Sequence, residues 1–187
     1  MEILNSAIDG LFVVKSNKFQ DDRGFFRESY KLSHLEKHLG RRPEFQQNNH
    51  SRSRARVLRG FHNENWDKLV YVVRGTALIV VADTRPDSTT FGVTESFVCG
   101  DDPGQHMRIF VSSGLSNAFY CFSEVDYLNE VSREFDPLGR GGFLWCDETL
   151  NVDWPDRSPI VSHIDESLPR LKDTHPNHPK FLLSAQT

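Results

Sequence analysis

The chain has 187 residues, the size of one ordinary domain of about 100–200 residues that buries a single core. Its formal charge is −4, from 22 Lys and Arg against 26 Asp and Glu, too mild and of the wrong sign for a protein whose main business is gripping nucleic acid. No apolar run approaches the roughly 20 residues that cross a bilayer, and the opening MEILNSAIDGLFVV puts no cationic segment ahead of an apolar one, so neither a membrane span nor a secretory signal is expected.

Residues 1–45 read as an N-terminal arm and helix. GLFVVKSNKF is β-forming and could pair with a neighbouring chain. In SYKLSHLEKHL, Tyr30, Leu32, Leu35 and Leu39 recur at helical spacing, which predicts a helix over Ser29–Leu39 with Gly40 as its stop. Residues 46–136 change character. Short runs rich in Val, Ile, Phe and Tyr (KLVYVV, TALIVVAD, FGVTESFV, HMRIFV, NAFYCF) alternate with turn formers, which predicts an all-β chain folded as an antiparallel sandwich or jelly roll with a few short peripheral helices. Arg74-Gly75 reads as a hairpin turn and Gly114 as a second sharp reversal. Residues 137–187 turn polar and proline-bearing and are expected to wrap the outside as loops and short helices with a frayed end. Cys99, Cys121 and Cys146 are odd in number, widely spaced and lack a CxxC, so they suit neither a disulfide framework nor a zinc knuckle; buried thiols in a cytoplasmic protein are expected.

The densest chemistry lies in QNNHSRSRARVLRGFHNENWDKLV. On a strand, Gln47, Asn49, Ser51 and Ser53 share one face, and Arg52, Arg54 and Arg56 the other, where a solvated row is the plain reading. Arg59 stands between Leu58 and Gly60 at the end of an apolar strand, where a guanidinium usually needs an anionic partner. His62 follows, and Lys68 opens the next strand. A neutral imidazole is a fit base near neutral pH if a carboxylate fixes its tautomer, and a lysine beside it can hold the charge of an enolate. These are the parts needed to remove a proton next to a ketone. A metal site is the competitor, but only His62 and Glu64 stand at suitable positions, with Asn117 where a further histidine would be needed, and a transition metal normally takes three or more ligands. No metal and no cofactor are expected.

Several motifs in order, FQDDRGFFRESY, QNNHSRS, VLRGFH, KLVYVVRG, DTRPDSTTFG, LWCDETLNVDWP and VSHIDESLPRL, resemble the dTDP-4-dehydrorhamnose 3,5-epimerases over roughly residues 19–171. The resemblance implies a cupin-type jelly roll and a cofactor-independent isomerase of deoxysugar biosynthesis. His62 would remove the proton α to the 4-keto group, with Asp165 as its carboxylate partner and Lys68 on the enolate oxygen. Arg59, Gln47 and Asn49 match positions that hold the diphosphate and nearby sugar. Arg23 and Glu28, with Phe26 between them, match those that reach the nucleotide, typically from the other subunit of a strand-exchanged homodimer. Phe135 falls where the family has a tyrosine stacked on the base.

The departures cluster around the sugar. The tyrosine that donates a proton on the opposite face becomes Asn129, the histidine of the proline-glycine-histidine turn becomes Asn117, the glutamate before the expected Trp145 strand becomes Arg140, and the lysine before the dyad carboxylate becomes Ile164. An amide is no acid, so Tyr127, two residues before Asn129 on the same strand face, is the candidate replacement, with water as the alternative. The expected activity is therefore epimerisation of a dTDP- or CDP-linked 4-keto-6-deoxyhexose at C3 only, in a pathway such as lipopolysaccharide O-antigen synthesis. A 3,4-ketoisomerase of the same substrate class and a non-catalytic nucleotide-sugar-binding protein are the alternatives.

Overall fold

A computed structural model describes residues 1–102 and 104–183. Two antiparallel sheets face each other. One has six strands in the order β1 (Glu2–Asn5), β2 (Leu11–Lys15), β10 (Met107–Val111), β7 (Lys68–Arg74), β12 (Val125–Val131) and β5 (Gln47–Ser53). The other has five, β13 (Arg140–Gly142), β6 (Leu58–Glu64), β11 (Leu115–Cys121), β8 (Thr76–Asp83) and β9 (Thr94–Gly100). A two-stranded ribbon, β3 (Phe19–Asp21) with β4 (Gly24–Phe26), stands apart from both. The result is the jelly-roll sandwich that the short strands predict.

The strands read as almost continuous apolar runs because both faces of both sheets are covered. Between the sheets lies a core that includes Val70, Val72, Ile79, Val81, Ile109, Leu115 and Phe119. The outer face of the five-stranded sheet packs Phe61, Val80 and Ala118 against Phe143, Leu150, Leu171 and Phe181 of the C-terminal segment. The outer face of the six-stranded sheet packs Phe12, Leu69 and Phe110 against Leu35 of α1 (Leu32–Leu39). Every residue of β11 is buried, odd positions toward the other sheet and even ones toward the C-terminal cover.

Several expectations change. The helix starts at Leu32 rather than Ser29, because the Ser29 hydroxyl accepts a 3.1 Å bond from Arg108 and the Tyr30 hydroxyl donates at 2.6 Å to Glu130, which ties both residues to the sheet and leaves Lys31 extended. Gly40, at φ +67°, closes it. Arg74-Gly75 is no hairpin: β7 and β8 belong to different sheets, and the turn carries the chain across the sandwich. Leu11–Lys15 is paired on both sides within its own chain, to β1 and β10, so it is not an edge kept for a neighbour. The arginine row also dissolves, since β5 ends at Ser53: Arg52 forms two 2.8 Å bonds to Asp126, and Arg56 turns to Asp156 at 2.7 Å.

Short helices α2 (His163–Glu166), α3 (Leu171–Thr174) and α4 (Pro179–Leu183) punctuate the C-terminal segment. The frayed end expected there falls on 184–187, outside the described residues. Cys99 and Cys121 are buried, but Cys146 is exposed, against the expectation for it. Among the described residues no helix is long and apolar enough to cross a membrane.

Candidate active site

A cavity of about 180 Å³ opens between the sheets where β6, β7, β11, β12 and β5 converge. Its lining brings together seven of the residues singled out in the sequence: Asn49, Arg59, His62, Lys68, Asn117, Tyr127 and Asn129. Glu64, Ser51, His50 and Phe119 line it too. Of these, Glu64 drew attention only as a metal ligand, and Phe119 carried no signal beyond that of a core aromatic.

His62 projects from β6, and its Nε2 lies 2.9 Å from Asp165 Oδ1. The other carboxylate oxygen accepts the Gly60 N–H at 3.3 Å, and the backbone N–H of Asp165 donates to Ser162 Oγ, the cap of α2. Gly60 is required for the close approach of β6 to β11. It sits at φ +114°, and a Cβ there would lie 2.6 Å from the Asn117 carbonyl oxygen. Burial works against the Asp165 charge, but its bond to His62 and the Gly60 amide outweigh it and hold the carboxyl below its usual range. With Nε2–H given to Asp165, the Nδ1 of His62 keeps the free lone pair.

Lys68 is 3 % exposed. Its ammonium pairs with Glu64 and donates a 2.5 Å bond to Asn117 Oδ1. Burial pushes its pKa down, Glu64 pulls it back up, and the Arg140 charge lowers it further. The Asn117 amide continues the chain by donating at 3.3 Å to the hydroxyl of Tyr127, whose ring lies flat on Phe119 with centroids 4.2 Å apart. Burial drives the Tyr127 phenol well above its ordinary pKa, so it stays protonated. Since its oxygen accepts from Asn117, its own proton is free to be donated. Asn129 Oδ1 is buried with no hydrogen-bond partner among the described residues.

The remaining expected residues lie elsewhere. Gln47 is not part of the cavity lining; it donates to Asn49 Oδ1 at 2.6 Å and accepts the Phe135 N–H at 2.9 Å. Phe135 is exposed and meets Trp66 edge-on, so its ring is not on His62 as the resemblance suggested. Arg140 lies not before a Trp145 strand but on β13, directly opposite Glu64 in the ladder. Ile164 is exposed beside Asp165. Arg23, Phe26 and Glu28 are on or just after the exposed ribbon, where Arg23 pairs with Asp21 and Glu28 with Lys31. Arg59 anchors its Nε on Ser53 Oγ at 2.9 Å, leaving the rest of its guanidinium to the cavity. Among the described residues no group of three or more His, Cys, Asp or Glu is placed to hold a metal.

Comparison with known proteins decides the kinship. A model of the dTDP-4-dehydrorhamnose 3,5-epimerase family matches residues 5–173. The chain belongs to the dTDP-4-dehydrorhamnose 3,5-epimerase family. The family is an isomerase-class enzyme family. The dTDP-4-dehydrorhamnose 3,5-epimerase of Escherichia coli K12 is 33 % identical over 174 residues, covering 90 % of this chain and 93 % of that one. Among solved structures, a 4-keto-6-deoxy sugar epimerase from the novobiocin biosynthetic gene cluster of Streptomyces spheroides superposes with a TM-score of 0.90 at 28 % identity, covering 94 % of this chain and 90 % of that one. A dTDP-6-deoxy-D-glucose-3,5-epimerase from Legionella pneumophila, in complex with dTDP-4-keto-L-rhamnose, gives 0.85 at 30 % identity, with 91 % and 93 % covered. A 3'-monoepimerase from Streptomyces bikiniensis, in complex with dTDP-quinovose, gives 0.85 at 25 % identity, with 97 % and 96 % covered. Solved structures with this fold thus include a 4-keto-6-deoxy sugar epimerase and a protein that bears the name of a 3'-monoepimerase.

Proposed function

We propose that this chain epimerises a nucleotide-linked 4-keto-6-deoxyhexose at C3 alone. The observation that carries the reading is the His62–Asp165 pair beside a cavity that also holds a buried lysine and a protonated tyrosine. His62 Nδ1 takes the C3 proton, the C–H electrons form the C3=C4 double bond, and the carbonyl electrons pass to O4, where the Lys68 ammonium holds the charge. Asp165 stabilises the imidazolium. Tyr127 then gives its proton to C3 on the other face as the carbonyl reforms; the Asn117 N–H steadies the phenolate until solvent restores its proton, and His62 releases to solvent the proton it took.

Asn129 stands where the resemblance expects the usual tyrosine acid, so one donor, displaced along β12, is available rather than the family's own; this favours a single inversion. Arg59, Gln47 and Asn49 would hold the diphosphate and sugar, with Arg23, Phe26 and Glu28 of a second subunit closing over the nucleotide in a homodimer. The dTDP named in several solved relatives makes dTDP the first nucleotide to test and CDP the second.

The test follows the C3 and C5 protons separately by NMR in D₂O with dTDP- and CDP-linked 4-keto-6-deoxyglucose. Exchange at C3 only, with an inverted product trapped by reduction and both lost in His62→Asn, is the expected result. Exchange at both carbons would make the enzyme a double epimerase, a shifted ketone would make it a ketoisomerase, and persistence of exchange in His62→Asn would remove the assigned base.

A further inference from the structure

Glu64 is the last residue of β6 and Lys68 the first of β7, and these strands lie in opposite sheets. Only Asn65, Trp66 and Asp67 join them. So short an arch across the sandwich keeps the residues at its two feet close together, and here their side chains meet. The arch is fixed as well as short: the buried Asp67 carboxylate pairs with Arg41 and accepts the Ser113 N–H at 3.1 Å, while the Asp67 N–H donates to Ser132 Oγ at 2.9 Å. The meeting of Glu64 with Lys68 is therefore built into the backbone. Their side chains are 12 % and 4 % exposed, so bulk water screens the pair little.

We infer that Glu64 is a positioning residue for Lys68, a carboxylate whose ion pair, together with the Asn117 bond, keeps the ammonium turned into the cavity with N–H left for the substrate's ketone oxygen. An ammonium has three donors and no acceptor; one is given to Asn117 Oδ1, and the charge lies against the Glu64 carboxylate. The inference rests on the proton-abstraction reading of the site. It goes beyond that reading because, among the described residues, no hydrogen bond or ion pair joins Glu64 to His62 or Asp165.

The charges around Lys68 show why a carboxylate is needed there. Burial disfavours the ammonium, and Arg140, opposite Glu64 on β13, disfavours it further. His62 on β6 becomes a cation once it has accepted the substrate proton, and Asp165 behind it balances that charge. Tyr127 on β12 stays neutral at rest, and Arg59 on β6 and His50 on β5 are the further ionisable groups that line the cavity. Glu64 is thus the carboxylate in contact with the lysine. An uncharged Lys68 would offer the enolate oxygen a weaker hydrogen bond and no balancing charge, and the rate of proton abstraction would fall.

The experiment compares the wild type with Glu64→Gln and Glu64→Asp, measuring kcat and KM for C3 proton exchange across pH. Glutamine keeps the volume but removes the charge. Its kcat is expected to fall about tenfold or more with KM nearly unchanged, and the alkaline limb of its kcat profile to move down by about one pH unit. Aspartate keeps the charge at a longer reach and is expected to restore part of both. If the glutamine variant does not fold, aspartate carries the test, with an intermediate fall in kcat and an intermediate shift of the limb. A wild-type kcat and alkaline limb in whichever variant folds would overturn the role of Glu64. Absence of exchange in the wild type itself would instead overturn the proton-abstraction reading.

Discussion

Tyr127 shows how a single hydrogen bond sets a residue's role. Lys68 occupies the carbonyl of Asn117, which turns the amide's N–H toward Tyr127, so the phenol oxygen accepts and its proton points elsewhere. Replacing Tyr127 by phenylalanine removes the proposed donor while keeping the ring on Phe119, and His62 and Lys68 keep their contacts. Exchange of solvent deuterium into C3 should persist, because the base can return the deuteron it holds to the same face. Net inversion should fall by about 100-fold, within the usual range for loss of a general acid. Equal loss of exchange and inversion would place Tyr127 in the structure of the site rather than in its chemistry.

At the scale of strands and turns, the connections were harder to read than the strands. KLVYVV and TALIVVAD are legible because buried strands are apolar and β-branched, but nothing local distinguishes a turn within a sheet from one that crosses between sheets. Arg74-Gly75 looks like a hairpin and is an arch. The same blindness hid Glu64, because its meeting with Lys68 depends on which sheet each strand joins. His62, Lys68 and Asp165 were legible through the motifs that carry them. Phe135 was not placed correctly, because a motif fixes a position along the chain and not the direction of a ring on an exposed loop. The arch at Gly75 has its own test. Gly75 sits at φ +79°, and a Cβ there would lie 2.0 Å from the Glu124 carbonyl oxygen. Gly75→Ala should cost about 2–5 kcal/mol, combining left-handed strain with overpacking, read as a lower urea midpoint at an unchanged slope. A variant as stable as the wild type would mean that the arch repacks freely.

For the molecule as a whole, the question is how a site with His62, Lys68 and Tyr127 in one cavity would obtain the nucleotide contacts proposed for it. Arg23, Phe26 and Glu28 face solvent on or beside a ribbon that joins neither sheet, and Phe19, Phe25 and Phe26 of that ribbon are all more than half exposed. So much aromatic surface on a projecting arm is costly to leave in water, and the proposed homodimer accounts for it by laying each arm over the other subunit's cavity. Subunit mixing tests this directly. His62→Asn alone lacks the base, and a combined Arg23→Ala and Phe26→Ala variant alone should bind substrate about tenfold or more weakly through loss of aromatic and charge contacts. In a mixed dimer, one of the two cavities pairs an intact His62 with an intact arm from the partner. Co-refolding the two variants should therefore restore activity at low substrate concentration to about a quarter of the wild-type level, since random assortment makes half the molecules mixed and each carries one complete site. If each arm instead served its own cavity, no mixture could assemble a complete site, and activity would stay at the average of the two parents.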